Sequence, residues 1–394
     1  MDQNIDIDNA QFDVLVPDGD VSEIPSADNP KFPHDSEHMN DTVDDLTPSE
    51  VRWFYKESDG KQWKPFNGKD SLLIEMKWRV WSQSSVDAAS LKLLEEFNQE
   101  NDVVVLNDLY KLEIENKQIK PIYWEGDSLW IVRGTWFIPD DQWQPLAQEH
   151  SIEIEAQHLK HFRGQRIPAQ LFFEKGTKPP VLCSVEFSEC KVIWNSVIDV
   201  FVQPQGRFTF RKGLKRLQRG YQTLARLDDC PKPLQHLIFV VHGIGQKRSV
   251  NRIVSSTQIM RETIETLMSS SKLSHVTGRP LLIPVEWRSS LKLDGDVVES
   301  ITPRELQSVR SLLNATAMDI MYYTSPLYRT EIILGLADRL NSLYRLFMSH
   351  NPDFVEDGGR VSLVAHSLGS VICYDLITHW SPLGLYELYV TEQM

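Results

Sequence analysis

The hydrophobic pattern divides the chain into three stretches of different period. Residues 1–47 show no apolar repeat. From Pro48 to about residue 205, short alternating runs recur between turn signals, as in VRWFY, NDVVVLNDLYKLEIE and KPIYWEGDSLWIVRGTWFIPDD. Further apolar runs lie at Leu171–Phe173 and Val181–Phe187. A period of two bounded by Gly-Asp and Pro-Asp turns predicts β-strands. Residues 82–101 are polar and read as a short helix or an insertion.

From Gln235 the pattern changes. Leu237–Val241 (LIFVV) is a continuous apolar run, as in a strand buried on both faces. Val250–Met268 has helical spacing, and Leu281–Trp287 reads as a second strand, with Pro284 arguing for an edge or a bulge. Thr302-Pro303-Arg304-Glu305 has the form of a helix start. Arg329–Met348 carries Ile332, Ile333, Leu336, Leu340, Leu343 and Phe347 on one stripe, and Arg360–Thr378 reads as strand, tight turn and helix. Strands alternating with helices predict a mostly parallel sheet. The expected fold is multidomain: an acidic disordered tail (1–47), a β-rich region (48–205), a basic linker (206–234), and the first part of an α/β domain (235–394).

Charge sharpens this division. The tail holds thirteen Asp or Glu against one Lys, a balance of −12, so of the net −14 only about −2 belongs to the rest. That near-neutral remainder excludes nucleic acid as an expected partner. Four cysteines without framework spacing read as reduced thiols, which fits a cytoplasmic protein. The N-terminus has no secretory pattern, and no apolar run approaches the ~20 residues of a membrane span, so any membrane contact is expected to be peripheral. One candidate for it is Arg207–Gly220, RFTFRKGLKRLQRG, with six basic residues and no acidic one. Arg211, Lys212, Lys215 and Arg216 are its membrane-binding candidates, each contributing about 1 kcal/mol at an anionic surface. The alternative is an exposed linker.

Two motifs carry recognition or chemistry. Trp53 and Trp63 flank a Ser-Asp-Gly turn and are followed by Glu75, which resembles a WWE-type module, a small half-barrel that recognises a partner or ligand. The plainer reading is that these tryptophans are core, since each buries a large area. The second motif is Ala365-His366-Ser367-Leu368-Gly369, placed between a strand and a helix. A serine there is the nucleophile elbow of an α/β-hydrolase. Ester hydrolysis needs a nucleophile, a base and oxyanion donors. Ser367 is the candidate nucleophile, and the N–H of Leu368 one oxyanion donor. The other is expected from the earlier turn His242-Gly243-Ile244-Gly245, through Gly243 or Ile244. His366 is adjacent to the nucleophile and His242 reads as structural in its loop. Asp375 and His379 follow Ser367 by eight and twelve residues. A helix carries them ~12 and ~18 Å away, so they do not reach back. The catalytic acid and histidine are expected outside this chain, and no cofactor or metal-ligand spacing occurs in it.

The segments EVRWFYKESDGKQWKPF, IFVVHGIGQK, AMDIMYYTSPLYR and SLVAHSLGSVICYD are similar to those of the intracellular phosphatidic-acid-preferring phospholipase A1 family, the DDHD-domain lipases. The resemblance covers most of residues 48–380. It implies hydrolysis of the sn-1 acyl ester of phosphatidic acid or a related phospholipid, with Ser367 at the position of the family's active-site serine. It also implies a following DDHD domain with a metal site, absent from this sequence, so that the chain reads as truncated and its own activity stays open. A non-catalytic lipid- or protein-binding fragment is the alternative.

Overall fold

The computed structural model describes residues 42–57, 60, 62–82, 103–139, 143–168, 180–205, 214–243, 250–270, 275–287 and 319–378. The expected strand at Leu171–Phe173, the helix start at Thr302, the segment after residue 82, Arg211, Lys212, Ile244 and His379 lie outside these residues.

Three sheets form. The first comprises β1 (Arg52–Lys56), β2 (Lys64–Pro65), β3 (Val104–Val105), β4 (Tyr110–Glu113), β5 (Gln118–Pro121) and β6 (Leu129–Gly134), in the order β2-β1-β6-β5-β4-β3. Helix α1 (Gly68–Trp81) packs on it. Asn67 caps this helix by accepting from Asp70 N at 2.8 Å, which satisfies one orphan donor of the first turn. The core between helix and sheet holds Trp53, Phe66, Leu73, Ile74, Ile119 and Ile131.

The second sheet comprises β7 (Trp136–Phe137), β8 (Cys183–Glu186), β9 (Cys190–Trp194), β10 (Val200–Pro204) and β11 (Lys215–Arg219), in the order β7-β11-β10-β9-β8. Helix α2 (Gln148–Phe162) contributes Ile154 and Phe162 to its core, beside Trp136, Trp194 and Leu217. Neither α1 nor α2 stands out in the sequence, because both begin among strands and mix buried polar with apolar positions.

The two modules share one topology: a first strand, a helix, then a four-strand meander whose last strand returns to pair with the first. They share a polar centre as well. In the first, Trp53 stands opposite Arg133 across β1 and β6. Trp53 Nε1 donates to Glu75 on α1 at 2.9 Å, and Arg133 donates to both oxygens of Glu75, at 2.8 and 2.7 Å. In the second, Trp136 stands opposite Arg219 across β7 and β11. Trp136 Nε1 donates to Glu155 on α2 at 2.8 Å, and Arg219 Nε donates to the same carboxylate at 3.0 Å.

Two expected boundaries move. Residues 42–47 are packed, with Val43 buried in the second module's core and Leu46 in the first's. Their acidic pair Asp44 and Asp45 meets Arg163 at 3.5 and 2.8 Å. The expected basic linker is a strand over Lys215–Arg219, where Leu217 points into the core. Lys215 and Arg216 are exposed, and Arg216 donates to Ile198 O at 3.2 Å. Alternation, in which one apolar residue in five faces inward, holds this basic segment in a sheet.

The third sheet is parallel, in the order β13-β12-β14, with β12 (Leu234–Val241), β13 (Arg279–Val285) and β14 (Arg360–Ala365). Pro284 lies on β13, at an edge of the described sheet, as its missing N–H requires. Helices α3 (Val250–Met268), α4 (Pro326–His350) and α5 (Leu368–Thr378) flank it. The α4 stripe Ile332, Leu336, Leu343 and Phe347 is buried as its spacing predicts. The same core takes in Leu109, Tyr123 and Trp124 of the first module, so that module and the α/β region share one apolar interior.

Candidate functional site

At the C-terminal end of this sheet, β14 passes through His366 and Ser367 into α5. Ser367 has φ +55°, a left-handed conformation that costs a non-glycine residue roughly 1–2 kcal/mol. Two backbone bonds tighten the turn: Gly369 N donates to His366 O at 3.1 Å, and Ser370 N donates to Ser367 O at 3.0 Å. Ser367 is thereby exposed at the sheet end. As the first residue of α5, Leu368 has an N–H with no intrahelical acceptor.

The turn after β12 packs directly against it. His366 N donates to Val241 O at 3.1 Å, extending the β12–β14 ladder by one residue. A Cβ on Gly243 would lie 2.8 Å from Ser367 Cβ and 2.9 Å from His366 O. A Cβ on Gly369 would lie 2.3 Å from His242 O. Each turn thus requires glycine where it meets the other. Ser367, Leu368 and Gly243 come together at one point, the first two from one turn and the third from a turn 367 − 243 = 124 residues upstream.

His242 is buried and structural. Its Nδ1 lies 2.8 Å from Gly243 O, and its Nε2 lies 3.4 Å from Trp287 N and 3.3 Å from Glu286 Oε1. Trp287 stacks on the imidazole, centroids 5.2 Å apart, and Trp287 Nε1 donates to His242 O at 3.1 Å. Sequence reasoning missed this Glu-Trp clamp. Its signal was a Glu-Trp pair directly after a strand that neighbours the one leading into His242-Gly243.

Asp375 has a different partnership. It is buried on α5, accepting from the Tyr323 hydroxyl and the Arg329 guanidinium. This carboxylate ties the elbow helix to the segment AMDIMYYTSPLYR. Burial and the bond to Asp375 push the Tyr323 hydroxyl pKa up, beyond the usual phenol range. Burial also raises the Cys373 thiol to about 11, which leaves it an inert core residue.

Among the described residues no group of three or more His, Cys, Asp or Glu side chains could hold a metal ion, so the metal implied by the resemblance finds no ligand set in them. No described helix is long and apolar enough to cross a membrane.

Comparison with known proteins bears on both halves. A WWE domain model matches residues 27–133. The chain is 41% identical over 381 residues to intracellular phospholipase A1 of Caenorhabditis elegans, covering 89% of this chain and 44% of that protein. It is 40% identical over 413 residues to phospholipase DDHD1 of Homo sapiens, covering 90% and 45%. The chain matches the DDHD phospholipase family over most of its length. A plant relative, phospholipase SGR2 of Arabidopsis thaliana, is 30% identical over 338 residues, covering 78% of this chain and 36% of its own. The chain spans less than half the length of these relatives. No solved structure gives a significant match. A WWE domain is therefore followed by a region that resembles part of an α/β-hydrolase fold, in a chain of phospholipase-type hydrolase kinship.

Proposed function

We propose that Ser367 is the nucleophile of a phospholipase A1-type reaction on the sn-1 acyl ester of phosphatidic acid or a related phospholipid. Ser367 Oγ attacks the ester carbonyl, and the oxyanion accepts from the N–H groups of Leu368 and Gly243. The bond to the glycerol oxygen then breaks, a lysophospholipid leaves with a proton, and water releases the fatty acid. The observation that carries this reading is the left-handed Ser367 packed on Gly243. The substrate class comes from the relatives named phospholipase.

The reading includes a cytoplasmic protein held peripherally on anionic membranes through the basic residues Arg211, Lys212, Lys215 and Arg216, of which Lys215 and Arg216 are exposed on β11. A fluorophosphonate probe tests the nucleophile. Ser367 is expected to be labelled and Ser367→Ala to lose the label. In a full-length relative, alanine at the matching serine is expected to abolish phosphatidic acid hydrolysis, and hydrolysis at the parental rate would sink the assignment.

A second reading, a non-catalytic lipid- or protein-binding fragment, draws on one observation. His242 is clamped by Trp287, and Asp375 by Tyr323 and Arg329, so neither serves Ser367 as base or acid. Vesicle binding without probe labelling, in this chain and in a full-length relative alike, would favour it.

A further inference from the structure

Space at the elbow requires glycine at position 243, and that requirement leaves the His242–Gly243 peptide able to turn over. A Cβ there would lie 2.8 Å from Ser367 Cβ and 2.9 Å from His366 O. Gly243 does not have a positive φ. Turning the preceding peptide over carries φ to positive values, as between type I and type II turns, and glycine takes that state without steric cost. The N–H of the peptide then points the other way. Backbone sterics therefore do not select the orientation that serves an oxyanion, and a contact has to.

Trp287 supplies that contact. β12 and β13 run parallel, with Val241 opposite Val285 at their C-terminal ends. Gly243 stands two residues past β12 and Trp287 two past β13, so the register brings them to the same end of the sheet. Trp287 is fully buried, and its Nε1 donates to His242 O at 3.1 Å. His242 O and Gly243 N–H belong to one planar trans peptide, in which the two groups point in opposite directions. Holding the carbonyl on the indole thus fixes the N–H on the side away from it. No described residue accepts from that N–H.

Two further contacts hold the same turn. The elbow helix closes on the carbonyl, since a Cβ on Gly369 would lie 2.3 Å from His242 O. The His242 imidazole stacks on the indole with 12° between the planes, and its Nδ1 lies 2.8 Å from Gly243 O, the carbonyl of the next peptide. One indole therefore orients two successive peptides, the first directly and the second through the imidazole. A turned-over peptide would leave the buried indole N–H without its acceptor, and an unpaired buried donor is costly.

We infer that Trp287 is a positioning residue for acyl transfer at Ser367: its indole N–H holds the His242–Gly243 peptide in the orientation that offers Gly243 N–H to the oxyanion. This rests on the assignment of Ser367 as the nucleophile. Trp287 acts through the peptide alone. The oxyanion forms in the transition state and not in the bound ester, so loss of the indole N–H slows the chemical step and leaves binding unchanged.

Phosphonylation of Ser367 in the full chain by an alkyl fluorophosphonate, followed as kinact and KI, tests this. Two replacements remove the indole N–H. Trp287→Phe keeps an aromatic ring in the core. 3-Benzothienylalanine in place of Trp287, introduced by amber suppression, keeps the full shape with sulfur where the N–H was. Removing an oxyanion donor outright costs about 10²–10³ in rate, so a donor left unfixed is expected to lower kinact at least tenfold in both chains. KI is expected to stay at the parental value, and labelling to reach the parental stoichiometry. A role in folding alone would lower the labelled fraction and leave kinact unmoved. If Trp287→Phe loses its far-ultraviolet circular dichroism, the isosteric benzothienyl chain decides. Parental kinact in that chain overturns the inference and leaves the Ser367 assignment standing, whether or not Trp287→Phe is slowed, since packing would then explain the loss. Absence of labelling in the parental chain overturns the nucleophile assignment, and this inference with it.

Discussion

The two N-terminal modules are built on one plan but spend different amounts of burial on its polar centre. Glu75 is fully buried and is met by two guanidiniums, Arg133 and Arg79, besides Trp53. Glu155 is 19% exposed and is met by Arg219 and Trp136. Burial alone would raise the Glu75 pKa, but hydrogen bonds and charge from Arg133, then Arg79, hold it below the usual range. The residue three positions after each glutamate differs too. Trp78 lies under Arg133 at 4.3 Å, whereas His158 accepts from Trp194 Nε1 at 3.3 Å. A carboxylate fully removed from water needs more than one cation, because its desolvation must be offset from several directions. One left at the edge of the core keeps some water and needs fewer.

This contrast can be broken most strongly at Glu75. Glu75→Ala leaves two guanidiniums and an indole N–H around an empty site, and is expected to cost about 3–5 kcal/mol in urea unfolding followed by tryptophan fluorescence. Glu155→Ala is expected to cost less, about 1–3 kcal/mol, because water reaches the remaining partners. Equal losses would mean that depth of burial does not set the difference.

A smaller effect separates the modules by pH. Burial, with a contribution from Arg219, lowers the His158 pKa to about 3. A depressed histidine stays neutral in the folded chain while the unfolded chain binds a proton below pH ~6.5. Stability is therefore complete above that value and falls as pH drops toward the folded pKa. The expected loss is about 2 kcal/mol between pH 7 and pH 5. His158→Phe is expected to flatten that slope, and an unchanged slope would place the acid sensitivity elsewhere.

The correspondence between modules was present in the sequence. Gln62-Trp63-Lys64-Pro65 recurs as Gln142-Trp143-Gln144-Pro145, and Ser71, Ile74 and Glu75 recur as Ser151, Ile154 and Glu155, at a constant offset of 155 − 75 = 80. It escapes a search by hydrophobic period because the matching positions are mostly polar or aromatic, and β7, the counterpart of the five-residue β1, is only two residues long. The basic stretch shows composition and local structure parting. Six basic residues dominate the composition of Arg207–Gly220, while the inward Leu217 sets the described part, Lys215–Arg219, as a strand.

The sequence by itself determined the local units. LIFVV before His-Gly, the α4 stripe, and strand-turn-helix around Ser367 follow from periodicity and from small residues at tight turns. Those signals act within a few residues, where backbone sterics and side-chain spacing suffice. Tertiary structure alone decided which units meet. It brought Gly243 against Ser367, gave Asp375 to Tyr323 and Arg329, and made Trp287 the clamp on His242. It also made a strand of Lys215–Arg219 within a basic stretch. These outcomes depend on packing between residues tens to hundreds of positions apart, where the shape of each buried surface, and not its local pattern, selects the partner.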